Sequence, residues 1–315
     1  MPSDQISATH FVAPVKNTEI TVDAVRVDAK PSNLWRDAWQ DIRRRPTFWV
    51  TAVVVVIIGL MAVWPTLFTQ VPPNNNCLLA NSNAGPTAGH PLGFTFQGCD
   101  IWSRLVWGAR TSLMVGFLAT LIGTVIGTVM GALAGFYGGW LDSVLSRLGD
   151  IFFAIPYILA AIVVMSVFSQ NRTPLVLAFA IGGFAWASTA RVIRAEVLRV
   201  RQADFVTASR AIGLSRFRIL LTHVMPNAMA PVIVVATLTL GAAISAEATL
   251  SFLGVGLGSS TMSWGLDISQ AQSSLRVAPM ALIYPSIALT ITVLAFIIMG
   301  ELLRDALDPK ARARR

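Results

Sequence analysis

The chain has 315 residues, 54% of them hydrophobic and 13% charged, with a formal net charge of +8 and a mean hydropathy of +0.64. A chain this apolar is excluded from the class of water-soluble globules, so its solvent is a bilayer. The positive balance does not point to nucleic acid, because the arginines sit in loops beside apolar runs, where membrane topology alone places them.

Residues 1–33 carry scattered Pro, Ser, Thr and Asp without periodicity and are expected to form a flexible cytoplasmic tail. No cleavable signal peptide is expected, since this polar stretch precedes any apolar run. In 34–46, Leu34, Trp35, Trp39 and Ile42 recur at helical spacing opposite Arg36, Asp37 and Asp41. That pattern predicts an amphipathic helix lying on the membrane surface, or else a solvated helix packed on another subunit. Runs long enough to cross a bilayer, about 20 residues each, lie near 47–69, 112–136, 149–169, 174–193, 229–252 and 281–300. The expected fold is an all-α membrane protein with six transmembrane helices.

Lysine and arginine are retained preferentially on the cytoplasmic side. Arg43, Arg44 and Arg45 precede the first run, a cluster from Arg191 to Arg218 separates the fourth from the fifth, and Arg304, Lys310, Arg312, Arg314 and Arg315 follow the sixth, whereas 70–103 has none. Both termini are therefore expected in the cytoplasm, with 70–111 as an extracytoplasmic loop, 199–227 as a cytoplasmic loop and 304–315 as a basic cytoplasmic tail. The two cysteines, Cys77 and Cys99, share the outer loop. They form either a disulfide or two free thiols, and an oxidising compartment favours the bridge, worth roughly 3 kcal/mol by loop entropy.

In the second run Gly123, Gly127, Gly131 and Gly135 recur every four residues. This lines one helix face with hydrogens and lets another helix approach closely. The loop 204–227, DFVTASRAIGLSRFRILLTHVMPN, reads as two short helices meeting at Gly213, one capped by Asp204 and the other opening at Ser215, with Pro226 stopping the pattern. Phe205, Ala208 and Ile212 are expected on one face of the first, and Phe217, Leu220, Leu221 and Val224 on one face of the second. Glu247, near the end of the fifth run, serves either as an inward polar contact or as a hold on the outer loop that follows it.

No catalytic or metal constellation is expected: His10, His90 and His223 are scattered over tail, outer loop and inner loop. Nor is an ATPase site. A P-loop needs Gly-x-x-x-x-Gly-Lys-Ser/Thr, and Lys16, Lys30 and Lys310 lack that context.

The loop resembles the EAA loop of ABC importer permeases, with Thr207-Ala208-Ser209 in place of Glu-Ala-Ala, then Gly213 and Pro226. Its closest likeness is to the dipeptide/oligopeptide branch, which Asp204, Phe205, Val206, Ala208, Arg210, Ala211, Gly213, Pro226 and Asn227 follow. GGWLD at Gly138 to Asp142, HPLG at His90, SRLVWGARTSL at Ser103, EATLSFLGVGL at Glu247, SWG at Ser263 and LRDALDPK at Leu303 also resemble that branch, although Cys99 stands where the family has arginine.

The resemblance implies a type I ABC importer permease with its core in 112–303 and no chemistry of its own. It implies pairing with a second homologous permease, and two P-loop ATPase subunits that hold the ATP and Mg. An extracytoplasmic substrate-binding protein would dock on 70–110 and 254–280 and deliver a peptide. The loop helix around Ala208 to Gly213 would couple to the ATPase, with Arg210 meeting an acidic group there or else a lipid phosphate, Ala208 and Ala211 allowing close approach, and Asp204 and Pro226 bounding the loop. Nickel or another small solute remains an alternative cargo, and a stand-alone secondary transporter an alternative class.

Overall fold

A computed structural model describes residues 34–74, 77–258 and 261–307. The expected tail 1–33 and residues 308–315 of the basic tail lie outside the described residues. The chain runs α1 (Leu34–Ile42), α2 (Pro46–Val63), α3 (Ile101–Tyr137), α4 (Gly139–Ala154), α5 (Tyr157–Val167), α6 (Pro174–Arg201), α7 (Asp204–Ala211), α8 (Arg216–Ile219), a π turn (Leu220–Val224), α9 (Met225–Phe252), α10 (Trp264–Ala271) and α11 (Met280–Leu307). Among the described residues five spans are long and apolar enough to cross a membrane, with α8, the π turn and α9 counted as one, and six if α4 and α5 form a single bent span.

Helices α3, α6 and α9 make the centre, where Val115, Ala119, Leu177, Ile181, Ala243 and Leu250 are buried together. The glycine stripe explains how α3 and α6 come so close. A Cβ at Gly127 would lie 2.7 Å from both the Thr189 Cβ and the Trp186 carbonyl oxygen, one at Gly135 2.8 Å from the Arg194 oxygen, and one at Gly131 against the Ala190 oxygen and 2.9 Å from the Ile193 Cβ. Real Cβ atoms do not come this close, so only glycine fits at these three positions. A Cβ at Gly123 would lie 3.3 Å from the Gly182 oxygen, a tight contact.

Several expectations shift. Helix α3 starts at Ile101, inside the stretch expected to be loop, because Asp100 caps it by accepting from the Ser103 N–H at 3.1 Å. The third run is not straight: α4 and α5 meet at 81°. Pro156 lacks an N–H and forces Ile155 into an extended conformation, φ −84° and ψ 120°. Helix α1 buries Ala38 and Ile42 against Ala306 and Leu307 of the same chain and turns Trp35 and Trp39 outward. Its end is tied by Arg45, bonded to Asp41 at 2.8 Å and Asp305 at 3.1 Å.

At the end of the molecule that carries α10, a disulfide joins Cys77 to Cys99. The Gly98 backbone sits directly on Leu78, where no Cβ could stand. Thiol labelling of the intact protein without reductant is expected to leave both cysteines unmodified and to reach both after reduction; ready labelling beforehand would contradict the bridge.

Below this loop, Arg104 of α3 is buried and holds Asp267 of α10 through its Nε at 2.9 Å and Asn74 through Nη1 at 2.8 Å. Trp264 locks α10 in place, its indole N–H donating to the Leu105 carbonyl at 2.8 Å. Asp267→Ala would leave the Arg104 charge buried and unpaired, so we expect a loss of about 3–5 kcal/mol, read as a lower thermal midpoint in detergent. An unchanged midpoint would contradict it.

Glu247 is completely buried and accepts from Ser112 and Ser251, each at 2.9 Å. It therefore ties α9 to α3, and Ser112 in turn accepts from the Trp264 N–H at 3.2 Å.

Candidate functional site

The opposite end of the molecule is organised around α7. Its inward residues are Val206, with no exposed surface, and Ser209, whose hydroxyl donates to the Phe205 carbonyl at 2.7 Å. Val206 packs into a cluster with Phe136 of α3, Ile193, Val197 and Val200 of α6, and Ile219 and Val224. Three long helices thus grip a short one.

The apolar face expected on this helix is there, and it points out. Phe205, Ala208, Arg210, Ala211 and Gly213 are exposed, and Ile212 is 77% exposed. Across the turn Phe217, 61% exposed, and Leu221 extend the same apolar surface, with Arg216 and Arg218 also exposed beside them. Leu220 and Val224, expected on one face with Phe217 and Leu221, are buried instead. Widening the helix to π geometry over Leu220–Val224 turns them inward.

Asp204 is the first residue of α7, not its cap: the cap position is Ala203, without a side-chain bond. There its carboxylate faces the positive end of the helix dipole. Just past the end of α7, Gly213 has a φ of +83°, in the left-handed region that glycine adopts without a Cβ penalty. The Gly213 N–H reaches the Arg210 carbonyl at 3.0 Å, and the Leu214 N–H reaches the Ser209 carbonyl at 3.2 Å. Arg210 lies with its guanidinium carbon 6.0 Å from the centre of the Phe136 ring.

Ser215 opens the second helix as expected, accepting from the Arg218 N–H at 3.4 Å. Pro226 does not stop it. The chain runs as one helix from Arg216 to Phe252, with Pro226 in the first turn of α9 immediately after the π turn. The wider turn makes room for the ring, and the Asn227 side chain donates to the His223 carbonyl at 2.6 Å, satisfying a group near the proline. The loop is therefore shorter than 199–227: α6 continues to Arg201, and the fifth span begins at Arg216.

Two braces not read from the sequence stiffen the base of α7. Arg194 of α6 holds Asp142 of α4 through two bonds, 2.5 and 2.7 Å. Arg201 donates to the carbonyls of Gly135 and Phe136 at 3.1 and 3.0 Å, capping α3 just before Gly138 and Gly139 turn the chain with positive φ. The Gly-Gly-Trp-x-Asp pattern held the signal for Asp142; nothing local marked Arg194 as its partner. Among the described residues no group of three or more His, Cys, Asp or Glu is placed to hold a metal.

Residues 123–313 match the family model described as binding-protein-dependent transport system inner membrane component, and residues 33–86 match the N-terminal transmembrane domain of oligopeptide transport permease C. The glutathione transport system permease protein GsiD of Escherichia coli O6:K15:H31 is 36% identical over 278 residues, 88% of this chain and 91% of that one. The oligopeptide transport system permease protein OppC of Bacillus subtilis (strain 168) is 35% identical over 290 residues, 92% of this chain and 94% of that one. Among solved structures, two inward-facing crystal forms of the MetNI methionine ABC transporter superpose with TM-scores of 0.51 and 0.53 at 20% and 23% identity. Each covers 64% of this chain, and 95% and 96% of its own. At that identity they speak for the fold alone.

Proposed function

The chain belongs to the family of binding-protein-dependent transport system inner membrane components, and from this premise we propose that it is the permease subunit of an ATP-driven importer of di- and oligopeptides. The cargo reading is supported by two of its relatives, which are named for glutathione and for oligopeptides and align along nearly the whole chain. In this reading the chain is a multi-pass protein of the bacterial inner membrane with both termini cytoplasmic, as its arginine distribution favours. It forms the pathway with a second homologous permease and contributes no catalytic group. Two separate P-loop ATPases hold ATP and Mg, and an extracytoplasmic binding protein delivers the peptide to the end that carries α10 and the disulfide-tied loop.

The observation that carries the coupling role is the contrast between the two faces of α7. One is locked onto α3, α6 and α9, and the other offers Phe205, Ala208, Ile212 and Arg210 to a partner. A helix gripped in this way moves as a lever when its outer face is pushed, whereas a loose loop would absorb the displacement. Large apolar residues left bare beside arginines mark an interaction surface. Arg210 then meets an acidic group on the ATPase, and Ala208 and Ala211 leave room for its cleft.

Purification in mild detergent with mass spectrometry of the co-purifying chains tests the assembly. We expect a P-loop ATPase and a second permease of the same family. Recovery of this chain alone or as a homo-oligomer would overturn the proposal.

A further inference from the structure

At the bend between α4 and α5 the backbone stops pairing with itself. The last carbonyls of a helix and its first N–H groups have no partner inside it. Here, among the described residues, no other group takes up the carbonyls of Phe152, Phe153 and Ala154 or the N–H groups of Tyr157, Ile158 and Leu159. Residues 153–157 are all exposed.

The bend opens into a cleft of about 290 Å³ whose lining includes Phe152, Tyr157, Phe184, Ser188 and Thr239. Its depth follows from helix length. Ile181 to Ser188 of α6 and Thr239 to Ala243 of α9 line it, and these lie about 10–20 Å along their helices from the α10 end at 1.5 Å per residue. A hydrocarbon layer of about 30 Å puts the cleft near mid-membrane. The two helix ends that set this scale are joined at the α10 end by Arg172, which donates to the Gly254 carbonyl at 2.8 Å.

Unpaired backbone at that depth is not tolerated against lipid tails; it occurs only where protein covers it or water reaches it. Arg191 lies 3.8 Å from the centre of the exposed Phe153 ring and bonds Asp150 at 2.9 Å, so charged groups border the site. We propose that this cleft is a peptide-contacting station of the translocation pathway, where the bare carbonyls and N–H groups of the α4–α5 bend hydrogen-bond the backbone of a passing peptide.

The inference rests on the peptide-importer reading above. Extended peptide carries the complementary groups, one N–H and one C=O per residue. The aromatic rings and the neutral hydroxyls of Ser188 and Thr239 accept side chains of many kinds, because stacking and hydroxyl bonding are undemanding. The cleft is at the lower edge of small-molecule sites, room for a residue or two at a time.

The test uses the assembled transporter in lipid vesicles, with Ser188→Cys on α6, Thr239→Cys on α9, and Val56→Cys on the exposed face of α2 as control. The probe is a charged, membrane-impermeant methanethiosulfonate, added with and without a saturating tripeptide. A thiol reacts as its thiolate, which forms in water and not in hydrocarbon, so we expect labelling at Ser188→Cys and Thr239→Cys at least about tenfold faster than at Val56→Cys. We expect the tripeptide to slow both.

Two positions on two helices keep the test decisive if one variant does not assemble. Labelling as slow as the control would overturn the inference, since the cleft would then be covered by the second permease. Uptake of the tripeptide by the unsubstituted transporter, read in the same vesicles, separates the remaining failures. Uptake without protection overturns the cleft assignment alone; no uptake overturns the peptide reading of the transporter and the cleft with it.

Discussion

Replacing Gly213 with valine is expected to abolish ATP-driven uptake while the chain still enters the membrane and is recovered at its usual level. Crowding is not the cause, because a Cβ at Gly213 meets nothing within 4 Å. The cause is the backbone. A φ of +83° costs a β-branched residue about 1–2 kcal/mol or more. The turn from α7 to α8 relaxes instead of bearing that cost. The outward face, from Phe205 to Ile212, then loses its fixed angle to Phe217 and Leu221. Val206 and the cluster around it stay buried, so the fold survives while the lever slackens. Arg210→Glu should have the same outcome by another route, reversing the charge offered to the partner without touching Gly213. Uptake at the unsubstituted rate by both variants, with equal amounts in the membrane, would contradict the coupling role of α7.

Gly131→Leu is expected to have the largest effect on stability. Its side chain would start from a Cβ pressed into the Ala190 carbonyl and 2.9 Å from the Ile193 Cβ. The Ala190 backbone and the Ile193 Cβ are both fixed to α6 and leave no flexible group to yield, so α3 and α6 must separate along the seam that also holds Gly127 and Gly135. The cost is roughly 3 kcal/mol or more, at the upper end of overpacking. It should appear as a steep fall in the yield of folded protein and in its thermal midpoint in detergent. Gly59 of α2 is the internal control, since a Cβ there meets nothing within 4 Å, and Gly59→Leu should be tolerated. Equal midpoints for the two leucine variants would mean that the seam is not as tight as described.

The glycine seam was readable in the sequence because its information is local: four glycines at helical spacing describe a face whatever packs on it. The Gly213 turn and the Ser215 cap were readable for the same reason. What failed depended on partners far along the chain. Periodicity marked Phe205, Ala208 and Ile212 as an apolar ridge that the loop offers outward, and all three are exposed. It did not mark Val206 as the residue the core takes, because Phe136, Val197 and Ile219 converge on it from three other helices. Pro226 was read as a stop because proline breaks a regular α-helix, yet a π turn immediately before it absorbs the ring. Pro156 has the opposite history. Hydropathy averages over a window and sees one apolar run, whereas a single missing N–H bends the path by 81°. The Arg104 and Asp267 pair, separated by 163 residues, carries no local signal at all.

The most direct test of the central claim, that this chain guides peptide through the membrane while a separate ATPase drives it through α7, is tripeptide uptake into vesicles holding the purified complex. The binding protein and tripeptide are supplied at the α10 end and ATP at the α7 end. The account predicts uptake that requires ATP and disappears with Gly213→Val. Uptake by this chain alone, without ATP and without a second subunit, would contradict it and make the protein a self-sufficient secondary transporter.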